Sequence, residues 1–311
     1  MRGLVATSFR SDGAVSASDF HNSDGSIAHS EWVYDDAGRL MESSFQFGAG
    51  PIDRTVYSYD EAGRHARTVQ LSHDGTRTES EICTYNEAGQ KTKVRFLGVG
   101  RANAAYGIEG SEQAYPARGA TTMRTTYDNR AFPSKVVFQD ANGNNVTQVA
   151  FVRDDGGRLL REEMHGTEES PFAELLEKTP PEERGRMATL IKSVWGGPFA
   201  HTTYAYDAQG RMVERLRRMG TLGEDRATYR YEDRDEPIDE TTEHRSREAG
   251  LDENGAVRYT ADRVNVQHNR FESTYDAHGN WTERVVWYRL EPNPDFQRSN
   301  VERRAITYHP A

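Results

Sequence analysis

Cysteine is nearly missing from this 311-residue chain. The one present, Cys83, excludes an intrachain disulfide and any zinc site built from several cysteines. Long apolar runs are also missing: no stretch approaches the ~20 residues a spanning helix needs, so no membrane insertion is expected. Residues Met1 to Arg10 hold no apolar run of signal-peptide length. Hydrophobic residues make up only 35% and the mean hydropathy is −0.86, which argues against a thick aliphatic core and for a thin, tyrosine-rich β structure. Positive charge is in deficit, 39 basic against 49 acidic residues. The resulting −10 opposes binding to a phosphate backbone or an anionic membrane, so no nucleic-acid partner is expected.

Catalytic signatures are lacking too. The ten histidines show no His-x-x-x-His or His-Glu-x-x-His spacing, and there is no Gly-x-Ser-x-Gly elbow, Walker loop or kinase signature. Gly98-Val99-Gly100 lacks the third glycine and the βαβ context of a dinucleotide site. Cys83 reads as a small packing residue in a strand. With 49 carboxylates, some pair always meets glycosidase spacing, so that signal carries no information. The expectation is no enzyme, no cofactor and no bound metal.

What is present is a repeat. Tyr34-Asp35-Asp36-Ala37-Gly38-Arg39 recurs as Tyr59-Asp60-Glu61-Ala62-Gly63-Arg64, Tyr85-Asn86-Glu87-Ala88-Gly89-Gln90, Tyr206-Asp207-Ala208-Gln209-Gly210-Arg211 and Tyr275-Asp276-Ala277-His278-Gly279-Asn280. Weaker copies are Arg153-Asp154-Asp155-Gly156-Gly157-Arg158, without the Tyr, and Leu251 to Ala256; Tyr127-Asp128 and Tyr231-Glu232 keep only the opening. The spacing is about 25 residues. Asp74-Gly75, Asp12-Gly13 and Asp24-Gly25 supply intervening turns, so each unit reads as two antiparallel strands. Period two puts Trp32, Tyr57, Cys83, Phe151, Tyr204 and Tyr229 on the face of the motif's first residue. It also puts Trp281 and Trp287 on one face. The motif arginines Arg39, Arg64, Arg158 and Arg211 are expected to bond locally or pair with Asp.

Three segments interrupt the repeat of what reads as a single domain over 1–311: a Gly-rich loop at 98–122, a helical insertion at 165–200 and an acidic loop at 232–250. In the second, Ser170 can cap a short helix opened by Pro171, and Thr179-Pro180-Pro181-Glu182 is a capping box. A helix from Glu182 to Trp195 presents Met187, Leu190, Ile191, Val194 and Trp195 as one stripe, expected to dock on the sheet, and Gly196-Gly197-Pro198 ends it. The acidic run is read as solvated rather than as a Ca²⁺ site. Asp140 to Asn145 lacks the closing bidentate Glu of a calcium loop and reads as a turn.

The motif Tyr-Asp-x-x-Gly-Arg at this spacing resembles the YD-repeat, or RHS-repeat, family of bacterial and animal cell-surface proteins. The resemblance implies an antiparallel β-hairpin sheet that curves or spirals, with Tyr34, Gly38, Tyr59, Gly63, Tyr85, Gly89, Tyr206, Gly210, Tyr275 and Gly279 as its repeat scaffold. It implies a secreted or cell-surface location, with the cytoplasm as the alternative. An Asp-Pro-x-Gly-rich core signature is not found near the C-terminus. The functional expectation is a structural or binding protein contacting glycan or protein. The alternatives are a shell fragment or partner of an RHS-type toxin system, and a polysaccharide-acting enzyme. Trp281, Trp287 and Tyr288, the aromatic cluster outside the tyrosine ladder, have two readings: they pack inside as the terminal layer of the sheet, or they stand exposed as a ligand platform.

Overall fold

The computed structural model describes residues 4–10, 12–21, 25–97, 105–108, 111, 114–116, 119–166, 173–195 and 200–303. Its strands are β1 (Leu4–Phe9), β2 (Val15–His21), β3 (Ile27–Tyr34), β4 (Leu40–Phe47), β5 (Ile52–Tyr59), β6 (His65–Leu71), β7 (Arg77–Tyr85), β8 (Lys91–Phe96), β9 (Ala105–Gly107), β10 (Ala114–Pro116), β11 (Thr122–Tyr127), β12 (Pro133–Gln139), β13 (Asn145–Arg153) and β14 (Leu159–Gly166). Helices α1 (Ala173–Lys178) and α2 (Arg184–Trp195) follow. The chain then returns to strands β15 (Ala200–Tyr206), β16 (Met212–Met219), β17 (Gly223–Arg230), β18 (Asp239–Ser246), β19 (Ala249–Leu251), β20 (Val257–Tyr259), β21 (Arg263–Tyr275), β22 (Trp281–Leu290) and β23 (Gln297–Arg303).

Nineteen of these strands form one antiparallel sheet in which each pairs with the next in chain order. The hairpins β9–β10 and β19–β20 stand apart, so β8 pairs directly with β11, and β18 with β21.

The repeated motif is a hairpin turn with a built-in bulge. In the first copy the Asp35 N–H donates to the Arg39 carbonyl and the Gly38 N–H to the Asp35 carbonyl. The Asp35 carboxylate accepts from the N–H groups of Ala37 and Arg39 and from Arg39 Nε at 2.7 Å. Gly38 sits at φ 76°, where a Cβ is strained, which is why glycine recurs there. Among the described residues only one non-glycine, Ala131 at φ 69°, takes such a position. The register then shifts by one residue: Tyr34 pairs with Leu40 but Val33 with Glu42, leaving Met41 unpaired.

Successive turns are stitched along one edge of the sheet. Six motif Tyr hydroxyls donate to the carbonyl of the residue just after the preceding turn: Tyr34 to Val15, Tyr59 to Leu40, Tyr85 to His65, Tyr127 to Lys91, Tyr206 to Leu159 and Tyr231 to Met212, all within 2.7–2.9 Å. The bonds from Tyr127 and Tyr206 reach across the first two interruptions, so those insertions leave the repeat geometry intact. Each turn's Arg also lies over the next turn's Tyr: Arg10 over Tyr34, Arg39 over Tyr59, Arg64 over Tyr85, Arg158 over Tyr206, Arg211 over Tyr231 and Arg234 over Tyr275, at 3.8–5.3 Å. The same Arg39 pairs with Asp35 at 2.6 Å and reaches to 3.2 Å of where a Cβ on Gly63 would stand. At the two weak motif copies the pair is inverted. Phe132 occupies the Arg position and Arg153 the Tyr position, and they stack at 5.2 Å.

These turns make the sheet acid-sensitive. The Asp35 and Asp60 carboxyls are held below their ordinary 3.8, first by the backbone N–H of Arg39 and Arg64 and then by the guanidiniums. Asp252 is held down first by the Ala256 N–H, and Asp154 first by the Arg158 guanidinium. A carboxylate with a depressed folded pKa stabilises the fold above its unfolded value and loses that contribution as pH falls through the folded value. Urea midpoints should therefore stay level down to about pH 4–5 and fall steeply below about pH 4. A main drop centred near pH 6 would assign the sensitivity to histidine instead.

The core lies on one face of the central strands. Cys83, Val94, Met123 and Phe138 are successive cross-strand partners, as are Val136, Val149, Met164 and Ala200. Val94, Val136, Phe138 and Val149 are fully buried. Ile108 and Ala120 belong to the same cluster, so the segment read as a Gly-rich loop also covers the sheet and carries the β9–β10 hairpin. Its Gly98-Val99-Gly100 run lies outside the described residues.

Two further expectations change. The run 232–250 is loop only up to Ile238; Asp239–Ser246 is β18, because arginines on both flanking strands neutralise Asp239. Helix α2 lies against β19 of the separate hairpin and also meets the β16–β17 turn of the large sheet, with Val194 buried and Met187, Leu190 and Ile191 half-buried. Arg186 donates to the Asp252 carbonyl at 3.0 Å, and the Thr221 N–H to that of Val194 at 3.1 Å. The helix starts at Arg184, after a turn in which the Glu183 N–H donates to the Pro180 carbonyl. Ser170, Pro171 and Gly196-Gly197-Pro198 lie outside the described residues.

Candidate ligand-binding surface

The aromatic cluster is split between the two faces of the sheet. Trp281 pairs with Tyr275, but Thr274 pairs with Glu283, so Thr282 is bulged and the remainder of β22 is rotated by one residue. Trp281 therefore lies with Tyr275 on the core face, buried, under Arg284 at 4.7 Å. Trp287 pairs with Arg270 on the opposite face, whereas Tyr288 pairs with Asn269 on the core face and donates to Gln297 Oε1 at 3.1 Å. Strict period two failed here because each turn of this kind inserts one extra residue. Trp287 is half-buried, and its Nε1 is shielded from solvent with no hydrogen-bond partner among the described residues.

The face that carries Trp287 holds two ranks of cross-strand partners over β17, β18, β21 and β22. One rank is Arg230, Asp239, Arg270 and Trp287; the other is Thr228, Thr241, His268 and Arg289. All of these but Trp287, together with Phe296 from the β22–β23 connection, line a cavity of about 330 Å³, which Tyr229, Glu240 and Asn269 also border. Asp239 is shared: Arg230 donates to Oδ2 from Nε at 2.7 Å and again from Nη2, while Arg270 Nε lies 3.6 Å from Oδ1. Arg270 and Arg289 both lie over the Phe296 ring, at 4.5 and 5.6 Å. His268 bridges Thr241 Oγ1 and Glu291 Oε1, each at 3.0 Å. Asn269 donates to Glu240 Oε2 at 2.9 Å. None of the lining arginines occupies the last position of a repeat motif, so the repeat pattern gave no sign of them. One signal did exist, for the strand rather than for the arginines: the acidic run reads as strand once its Thr241 and Thr242 are weighted for β propensity. A neighbouring cavity of about 280 Å³ lies at the turn 231–238, where Arg234 already covers Tyr275.

A second cluster surrounds Cys83. Its Sγ lies 3.6 Å from His65 Nδ1; His65 Nε2 meets Thr68 Oγ1 at 2.9 Å, and Thr68 reaches Glu81 Oε2 at 3.5 Å. The order Cys-His-Thr-Glu invites a nucleophile reading. However, burial pushes the Cys83 thiol up, and burial followed by the Lys91 charge pushes the His65 imidazole down. Both groups are held neutral, the reverse of the thiolate and imidazolium that activate a cysteine. No group of three metal-ligating side chains occurs among the described residues. Cys83 packs against the core cluster.

No protein-family model matches the chain, and no curated protein matches it. Among solved structures, it is similar to a porin-like protein from Bacteroides uniformis ATCC 8492, at 15% identity and a TM-score of 0.31, over 80% of this chain and 93% of that one.

Proposed function

We propose that the chain is a non-enzymatic YD-repeat (RHS-repeat) scaffold, secreted or on the cell surface, that presents the β17–β22 face to a glycan. One observation carries this reading. The motif Asp, Arg and Tyr side chains are spent along the turn edge, on one another and on backbone groups, while Arg230, Arg270, Arg289 and Phe296 belong to no motif position and still converge on one cavity. A cavity of about 330 Å³ has room for a sugar unit or two, and it offers the mixture of guanidinium, carboxylate, amide and hydroxyl groups that hydrogen-bonds to sugars. Trp287, the cross-strand neighbour of Arg270, provides the reporter. On titrating the full chain with a panel of soluble oligosaccharides, tryptophan emission should shift for at least one of them, and Trp287→Phe should remove the shift while leaving the melting temperature within a few degrees. A panel that leaves emission and calorimetric heat unchanged would overturn the glycan reading.

A further inference from the structure

The cavity's donors are set for an anion rather than for a neutral sugar, and from this we infer that its ligand is an acidic glycan, one bearing a sugar carboxylate. This inference rests on the glycan reading above and specifies its chemistry. Three guanidiniums converge on the cavity in a chain whose net charge is −10, so the local charge runs against the global one. Arg230 is already committed to Asp239 through two of its nitrogens. Arg270 and Arg289 are not committed in this way. Among the described residues, the polar contacts of Arg270 begin at 3.6 Å, to Asp239, and those of Arg289 at 3.5 Å, to the Asn293 carbonyl, and 4.0 Å, to Glu291. Each guanidinium carries five N–H donors in a planar fork that matches a carboxylate two bonds at a time.

Phe296 strengthens the case. Both guanidiniums lie over its ring, which fixes their planes without using a single N–H. With Arg270 and Arg289 stacked there, the ring is less available as a stacking surface for a neutral pyranose. His268 and Thr241 add polar groups along the same wall, suited to the sugar hydroxyls next to the carboxylate. The carboxylates on this face are already paired: Asp239 with Arg230 and Arg270, and Glu291 with His268. An incoming carboxylate therefore meets donors in excess.

The test is calorimetric titration of the full chain with trigalacturonate and, in parallel, with the neutral galactose trimer. Trigalacturonate should bind, the neutral trimer at least tenfold more weakly, and affinity should fall severalfold between 50 and 500 mM salt, as an ion-paired contact requires. Arg270→Ala and Arg289→Ala should each weaken trigalacturonate at least tenfold. Arg270→Lys, which keeps the charge and loses the fork, should fall between wild type and Arg270→Ala. Arg54→Ala, outside the cavity, should change nothing, and circular dichroism checks that every variant is folded. If the neutral trimer binds as well as the acidic one, or if Arg270→Ala and Arg289→Ala leave affinity intact, the acidic inference is overturned while the glycan reading stands. If neither trimer binds, the inference is overturned, and the wider oligosaccharide panel decides the glycan reading separately.

Discussion

Tyr204→Ala is expected to lower stability by about 3–5 kcal/mol, the range for truncating a buried aromatic. Tyr204 is 6% exposed and sits in the core cluster with Phe151, Met164 and Ala200. Its hydroxyl donates to Glu162 Oε2 at 2.9 Å, and Glu162 is itself only 2% exposed. Alanine therefore leaves a cavity and also removes a donor from a buried carboxylate. The sequence pattern makes Tyr57, Tyr204 and Tyr229 equivalent, but the structure separates them. Tyr57 and Tyr229 are half-buried, and the Tyr57 hydroxyl contacts only Ser43 Oγ, at 3.3 Å, among its polar partners described. Their alanine variants should cost about 1–2 kcal/mol each, in proportion to the smaller apolar area lost. Urea midpoints at constant slope measure all three. Equal losses would mean that the core is spread evenly along the sheet rather than concentrated at β8 and β11–β15.

The second large effect belongs to a glycine. Gly157→Ala is expected to destabilise by about 2–4 kcal/mol, against about 1–2 kcal/mol for Gly38→Ala. Both positions lie at positive φ, 85° and 76°, so each substitution carries the left-handed strain. A Cβ on Gly38 meets open space, whereas one on Gly157 falls 2.7 Å from two ring atoms of Phe132. Phe132 can move aside only by giving up its stack with Arg153. If the two substitutions cost the same, the inverted pair contributes nothing and the ladder is interrupted at that step.

The turn edge was legible because its chemistry is local. Asp and Gly four residues or fewer apart close each hairpin through their own backbone, so the motif shows in any short window. The facing of residues beyond a turn was not legible. The bulge after each turn rotates the following strand by one residue, which separated Trp281 from Trp287 although six residues divide them. The inverted pair was hidden for a different reason: Phe132 and Arg153 each look like a lost motif position alone, and only the contact between them restores the step. The acidic run failed as a loop because its partners are distant in sequence, Arg270 lying 31 residues beyond Asp239. The cavity follows from that same pairing. It became visible only once β18 was seated between β17 and β21. The helix stripe was read correctly as apolar, but its seat against β19 lies about 60 residues further along the chain, beyond any periodicity.

Each motif arginine couples its turn to the next turn's tyrosine. A double-mutant cycle on Arg64 and Tyr85 tests it most directly. Arg64 lies 4.6 Å over the Tyr85 ring while paired with Asp60 at 2.8 Å, and burial pushes the Tyr85 phenol up to about 12. The Tyr85 hydroxyl remains a donor to the His65 carbonyl at 2.7 Å. Arg64→Ala, Tyr85→Phe, Tyr85→Ala and the corresponding pairs would be unfolded in urea, with Arg77→Ala, eight residues away along β7, as the control partner. A coupling of about 0.5–2 kcal/mol is expected between Arg64 and Tyr85 in the alanine cycle, largely kept in the phenylalanine cycle because the ring remains, and none between Arg77 and Tyr85. Additivity of Arg64→Ala and Tyr85→Ala to within about 0.3 kcal/mol would contradict it.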